Sequence, residues 1–331
     1  MKVFVAGATG AIGKRLVPLL VASGYDVVAM TRSPEKVDSL RSAGADPVVA
    51  DGLDRAAVMK ALMYSDPEVV IHEMTGLTGV TSLRNFDKEF ALTNRLRTEG
   101  TDHLLEGARA AGARRFIAQS YGNWYYARTG SGPKSEDEPL APDPPAKQRR
   151  SVAAIRRLET AVLGADDIEG LALRYGALYG PGTAFAADGE IAAMLRKRLF
   201  PIVGDGRGVS SFIHVDDAAA ATAAAIECGA PGVYNIADDE PAPVADWLPE
   251  LARALGAKPP RRVPAWLGRL AAGEVGVSTM TLTRGASNAK AKRELGWRPR
   301  YPTYREGFRT GLGDLPVPTP QTLGEQEHAS G

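Results

Sequence analysis

The stretch KVFVAGATGAIGKRL, residues 2–16, limits the possible folds more than any other part of this chain. Glycines stand at 7, 10 and 13, directly between a short apolar run and a run with helical spacing. A glycine loop in that context does three things. Gly7 permits the tight turn, Gly10 lets backbone approach a pyrophosphate, and Gly13 lets the helix pack close to the strand. The helix then presents unpaired N–H groups and the positive end of its dipole to the phosphates. The loop residues Gly7, Thr9, Gly10, Ala11, Ile12 and Gly13 are therefore expected to hold a dinucleotide. The plainer reading is a tight turn with no ligand.

Two periods alternate downstream. Apolar runs at 26–32, 68–75 and 114–121 read as strands, and 46–54 as a strand with its exit loop; helix-spaced segments at 11–24, 34–44, 55–65 and 87–112 separate them. Strand, helix, strand with short connections implies parallel pairing through right-handed crossovers. Both faces of such a sheet are covered, which explains unbroken apolar runs such as VVI at 69–71. Residues 128–150 are polar and proline-rich and read as a long loop. A helix at 151–164, a strand at 170–180, an alanine-rich helix at 215–229, a strand at 232–238 and helices at 244–256 and 285–297 follow. Residues 314–331 are polar and proline-rich, and a disordered tail is expected there.

The end of the second strand bears on which dinucleotide is taken. A carboxylate there would hold a ribose 2′-hydroxyl and repel a 2′-phosphate. The chain instead has Thr31, Arg32 and Ser33, with Lys36 close behind. Arg32 can grip a phosphate through parallel hydrogen bonds, so NADP is preferred over NAD. Asp51 and Gly52, after the third strand, are expected beside the adenine; Asp51 could instead cap the next helix.

Composition excludes several classes. The formal net charge is +1, so no global field favours nucleic acid or a membrane surface. The single cysteine, Cys228, cannot form an intramolecular disulfide, which fits a reducing, cytoplasmic setting. No apolar stretch reaches the roughly 18–20 residues of a membrane helix. The four histidines show no metal-ligand spacing, so no metal is expected.

With the glycine loop, DGLD at 51–54, VIHEMT at 70–75, LRYGALYGPGT at 173–183 and GVYNIADDE at 232–240, the chain resembles the extended short-chain dehydrogenase/reductase family. The resemblance runs from about residue 1 to about residue 313. It implies a Rossmann-type doubly wound parallel sheet with a smaller C-terminal α/β substrate domain. Residues 1–180 would form the dinucleotide-binding domain, with 212–238 returning to it, and 181–211 and 239–313 the substrate domain. It also implies that Met74 and Thr75 line the cofactor site, that a small molecule is the substrate, and that two copies form a homodimer.

That family uses a tyrosine and, four residues on, a lysine, with a serine or threonine after the fifth strand. Aligning IRRLE at 155–159 places Ser151 and Ile155 at the tyrosine and lysine positions. None of the ten tyrosines is followed four residues later by lysine. The serine position falls on Tyr121, next to Ser120, within QSYGNWYY. Tyr121 is the leading candidate for a relocated proton donor, with Ser120, Tyr125 and Tyr126 behind it. It would need a cation from Arg149, Arg150 or Arg156 to lower its pKa. The alternative is that these rings only pack or contact a flat substrate. The resulting expectation is an NAD(P)H-dependent oxidoreductase acting on a carbonyl or hydroxyl of a nucleotide sugar or an aromatic, polyketide-like compound. A non-catalytic NADP-binding sensor and a cofactor-assisted epimerase or dehydratase are the other readings.

Overall fold

Val3, Phe4, Val5 and Ala6 have no solvent exposure, because their strand lies inside a sheet covered on both faces. The computed structural model describes residues 1–77 and 83–313; the expected disordered tail at 314–331 lies outside the described residues. The strands are β1 (Lys2–Ala6), β2 (Asp26–Thr31), β3 (Asp46–Val49), β4 (Val69–His72), β5 (Arg115–Tyr121), β6 (Glu169–Tyr175) and β7 (Gly232–Ile236). All pair in parallel, in the order β7-β6-β5-β4-β1-β2-β3. The chain winds outward from β1 in both directions. A crevice therefore opens at the carboxyl ends of β1 and β4, where ligands of such sheets bind. This is a doubly wound Rossmann-type α/β fold.

Alternation along the strands divides the core. Val3, Val5, Ile71, Ile117 and Leu173 pack under the helices Gly13–Ala22 and Val215–Glu227. Phe4, Ala6, Val70, Phe116 and Ala118 face the opposite way, against Leu104, Leu105, Leu158 and Val162. A separate cluster forms around Phe212, Trp247, Tyr304 and Phe308. Among the described residues no helix is long and apolar enough to cross a membrane.

Several elements differ from the sequence reading. The segment 87–112 is not one helix. It runs Phe86–Glu89, Ala91–Arg95, a π-helical turn at Leu96–Gly100, then Thr101–Ala110. The strand read at 170–180 breaks at Gly176 into β6 and a short strand, Ala177–Tyr179. The helix Ala265–Leu282 was not anticipated; its glycines weaken helical propensity, and Gly273 interrupts it at φ 70°. The third strand ends at Val49. Asp54, not Asp51, caps the next helix by accepting from the Ala57 N–H at 3.1 Å.

Candidate functional site

Gly7 has a φ of +93°, and a Cβ there would lie 2.6 Å from the Glu73 carbonyl. The turn thus excludes any larger residue through both conformation and contact. A Cβ on Gly13 would lie 2.4 Å from the Gly7 oxygen, so the helix sits directly against the loop. No side chain caps that helix; its Lys14, Arg15 and Leu16 N–H groups donate to the Gly10 and Ile12 carbonyls, and the positive end of its dipole faces the glycine turn. Gly10, Ala11 and Ile12 complete the turn; Ile12 is buried and its carbonyl accepts from Leu16 at 2.9 Å.

The second-strand end lies beside this loop. The hydroxyls of Thr9 and Thr31 are 3.4 Å apart, and Thr31 accepts from the Ser33 N–H at 3.2 Å. A cavity of about 190 Å³ adjoins Thr9 and is edged by Lys14 and Lys36; Arg32 is exposed. Thr9, Thr31 and Ser33 are therefore brought together, with the exposed Arg32 next in sequence to Thr31. Asp51 is exposed and accepts from the Leu53 N–H at 2.9 Å. Gly52 is buried under the Met74 side chain, and Thr75 follows, partly exposed.

At the end of β4 the chain buries charge. Glu73 is 5% exposed, and its Oε1 accepts from the Tyr175 hydroxyl at 2.8 Å. Tyr175 also lies 2.6 Å from the Thr222 hydroxyl, which donates to the Ala218 carbonyl. Glu73 Oε2 and Gln119 Oε1 are buried with no hydrogen-bond partner among the described residues. Burial pushes the Glu73 carboxyl up to about 8; the Tyr175 hydrogen bond pulls the other way and loses. His72 is pushed down to about 4, mainly by burial and further by Arg97, so it is neutral. Its Nε2 lies 3.2 Å from the Leu96 carbonyl, and its Nδ1 accepts from the Met74 N–H.

The end of β5 holds the aromatic cluster. Tyr121 is half-buried, packed edge-on against Trp124 at 5.6 Å and Tyr125 at 5.4 Å. Tyr125 is fully buried against Phe86, which stacks on Phe90 at 4.1 Å. Burial raises the pKa of Tyr121 and pushes Tyr125 up to about 12, against the lowering effect of Arg97 on both. The hydroxyls are thus held as neutral phenols, opposite in direction to the lowering the sequence reading required. The cations anticipated for this role point elsewhere. Arg156 donates to the Leu140 and Ala141 carbonyls, while Arg149 and Arg150 are exposed.

Ser120 is on the other face. Its hydroxyl donates to Glu159 at 2.7 Å, and Glu159 forms a doubly hydrogen-bonded ion pair with Arg174. Arg174 also donates to the Tyr126 hydroxyl, which donates to Asn235 at 2.6 Å. Ser120 and Tyr126 are therefore held in a buried polar network, and neither hydroxyl is disposed to serve as a proton donor in the cleft. On the helix Arg149–Leu163, Ser151 donates to Asp87 at 2.7 Å and accepts from Asn94, and Ile155 is fully buried.

Sequence reasoning missed Glu73 and did not give Arg97 a role. The available signal for Glu73 was a charge at an otherwise apolar strand end, EM after VVIH.

The family model for the NAD dependent epimerase/dehydratase family matches residues 3–237. The chain belongs to this family. It is 48% identical over 316 residues to a 3-diazoavenalumate denitrifying reductase of a Streptomyces species, across 93% of this chain and 99% of that one. The solved structure of MoeE5 in complex with UDP-glucuronic acid and NAD superposes at a TM-score of 0.71 with 26% identity, covering 94% of this chain and 98% of that one. The UDP-glucose 4-epimerase of Thermotoga maritima with UDP-glucose shares the fold at a TM-score of 0.75 and 24% identity, covering 94% of this chain and 97% of that one. Its relatives are named as reductases and epimerases, which sets this family member among oxidoreductases and epimerases.

Proposed function

We propose that this protein is an NADP(H)-using reductase that delivers a hydride equivalent to an aromatic diazo acid, with release of N₂. The observation that carries the reading is the aromatic wall at the end of β5, where Tyr121, Trp124 and Tyr125 pack edge-on and burial raises the pKa of both phenols, so that neither is activated for proton transfer. Reduction of a carbonyl needs a proton for the developing alkoxide, and epimerisation needs a base to remove one. An arenediazonium ion needs neither. Hydride adds to its terminal nitrogen to give an aryldiazene, whose N–H hydrogen moves to the ring carbon as the C–N bond breaks and N₂ leaves. The sum is ArN₂⁺ plus hydride giving ArH plus N₂, with atoms and charge balanced. The 48% identical relative is named for denitrifying a diazo compound, and this supports the reading.

The residues at the crevice fit a dinucleotide. Gly7, Thr9, Gly10, Ala11, Ile12 and Gly13 would hold its pyrophosphate, Asp51 and Gly52 its adenosine, and Met74 and Thr75 the nicotinamide half. The preference for NADP rests on Thr31, Arg32, Ser33 and the Lys14–Lys36 corner, which would meet a 2′-phosphate with positive charge. A bound reduced nicotinamide supplies the hydride. The chain's part is to hold the aromatic substrate against it and exclude water, with Tyr121, Trp124 and Tyr125 forming an apolar wall. Residues 181–211 and 239–313 would close the substrate side of a cleft whose cofactor side is 1–180 with 212–238.

The test is to offer an arenediazonium carboxylate with NADPH or NADH and to follow coenzyme oxidation and N₂ together. The proposal requires one N₂ per NADPH oxidised and slower use of NADH. Turnover of UDP-sugars without N₂ would return the epimerase reading, and NADPH binding with no oxidation of diazo or carbonyl compounds the sensor.

A further inference from the structure

Arg97 is 4% exposed, yet its Nε and Nη1 have no hydrogen-bond partner among the described residues. It stands in the π-helical turn Leu96–Gly100, a local distortion that often marks functional positions. Beside it lies the buried Tyr125 hydroxyl, which interacts with Arg97 and, more weakly, with Ser151. The phenol oxygen can accept from Arg97, but a neutral oxygen does not offset the charge of the guanidinium. A buried guanidinium left in this state is costly, so the pair calls for an oxygen anion.

The nearby carboxylate does not meet that need. Asp87 accepts from the Ser151 hydroxyl and from the Ser151 and Arg150 N–H groups. The His72 ring is committed to Leu96 and Met74. Aromatic rings pack around Tyr125: Phe86, Tyr121, Trp124 and Tyr125 meet with ring centroids 5.4–6.5 Å apart.

We infer that Arg97 and the Tyr125 hydroxyl form a carboxylate-binding subsite, and that the ligand is a planar aromatic or conjugated acid whose ring lies along the Tyr121–Trp124 wall. This deepens the function proposed above by stating what part of the substrate is recognised. It makes Arg97 a specificity residue, with the carboxylate as the handle that orients the far end of the molecule for reduction.

The test uses protein loaded with NADP and two probes of equal shape, cinnamate and cinnamamide, measured by calorimetry. Hydrogen bonds to charged groups contribute enough for a preference of about tenfold or more. The wild type is expected to bind cinnamate about tenfold more tightly than cinnamamide. Arg97→Gln should bring the two within about twofold while leaving NADP affinity unchanged, and Arg97→Lys should retain part of the preference. Equal binding of acid and amide by the wild type overturns the inference without any variant. So does an Arg97→Gln protein that keeps the acid preference but loses NADP. Neither probe carries a diazo group, so failure of the diazo reading leaves this result standing, and the reverse.

Discussion

Replacing Glu73 by glutamine removes a carboxyl that the fold holds out of water and leaves its shape nearly intact. The folded-state value is about 8 against an ordinary 4.5. The sign follows from proton binding in the two states. Below an ordinary carboxyl value both states hold the proton, and burial costs nothing extra. As pH rises toward 8 the unfolded chain releases its proton while the folded chain keeps it, so wild-type stability falls; above the folded value the loss is complete. The slope is about 1.4 kcal/mol per pH unit inside that window. Between about pH 5.5 and about pH 7.5 the wild type should therefore lose roughly 2–3 kcal/mol that Glu73→Gln does not lose. At roughly 2 °C per kcal/mol for a chain of this size, the Tm gap between variant and wild type should widen by roughly 5 °C in favour of the variant. The assay is thermal unfolding of both proteins, free of coenzyme, across that range; other titrating groups cancel in the difference. A gap that stays constant with pH would refute the reasoning.

Three further perturbations test separate parts of the site. Gly7→Ala must place a methyl 2.6 Å from the Glu73 carbonyl at a φ of +93°; loss of measurable NADPH binding in a titration is expected, and retained affinity would contradict the assigned turn. Glu159→Gln leaves Arg174 buried without its counter-charge; urea unfolding should show a loss of about 3–5 kcal/mol, and a loss under about 1 kcal/mol would mean the pair is hydrated. Tyr121→Phe removes a hydroxyl that the proposed reaction does not use, so diazo reduction should stay within about threefold of wild type; a fall of about 10²-fold, the scale of general acid catalysis, would restore Tyr121 as the proton donor.

The glycine turn after β1 was legible because its determinants are local. Glycines 7, 10 and 13 act within one strand–turn–helix, and the periods around them specify parallel strands. The surroundings of the aromatic cluster at the end of β5 were less legible for three physical reasons. A π-helical turn differs from an α-helix by one hydrogen-bond register, so 87–112 reads as a single helix and the placement of Arg97 is hidden. Ser120 finds its partner 39 residues away in Glu159, and only the packed sheet brings them together. The pKa of Tyr121 depends on how far burial outweighs a neighbouring charge. Spacing reveals the charge and not the burial, so the expected direction was reversed. Asp54 was a simpler miss: two aspartates precede the helix Arg55–Ser65, and either could cap it.

The central claim is that hydride passes from a nicotinamide held at the β1–β4 crevice to a diazo substrate with no proton from the protein. Turnover of an arenediazonium carboxylate with NADPH deuterated at C4, in ordinary water, tests it most directly. The account predicts that deuterium from one face of the coenzyme appears on the ring carbon that carried nitrogen, with one N₂ per coenzyme oxidised. Product bearing only solvent hydrogen at that carbon, or N₂ released without oxidation of NADPH, would contradict it.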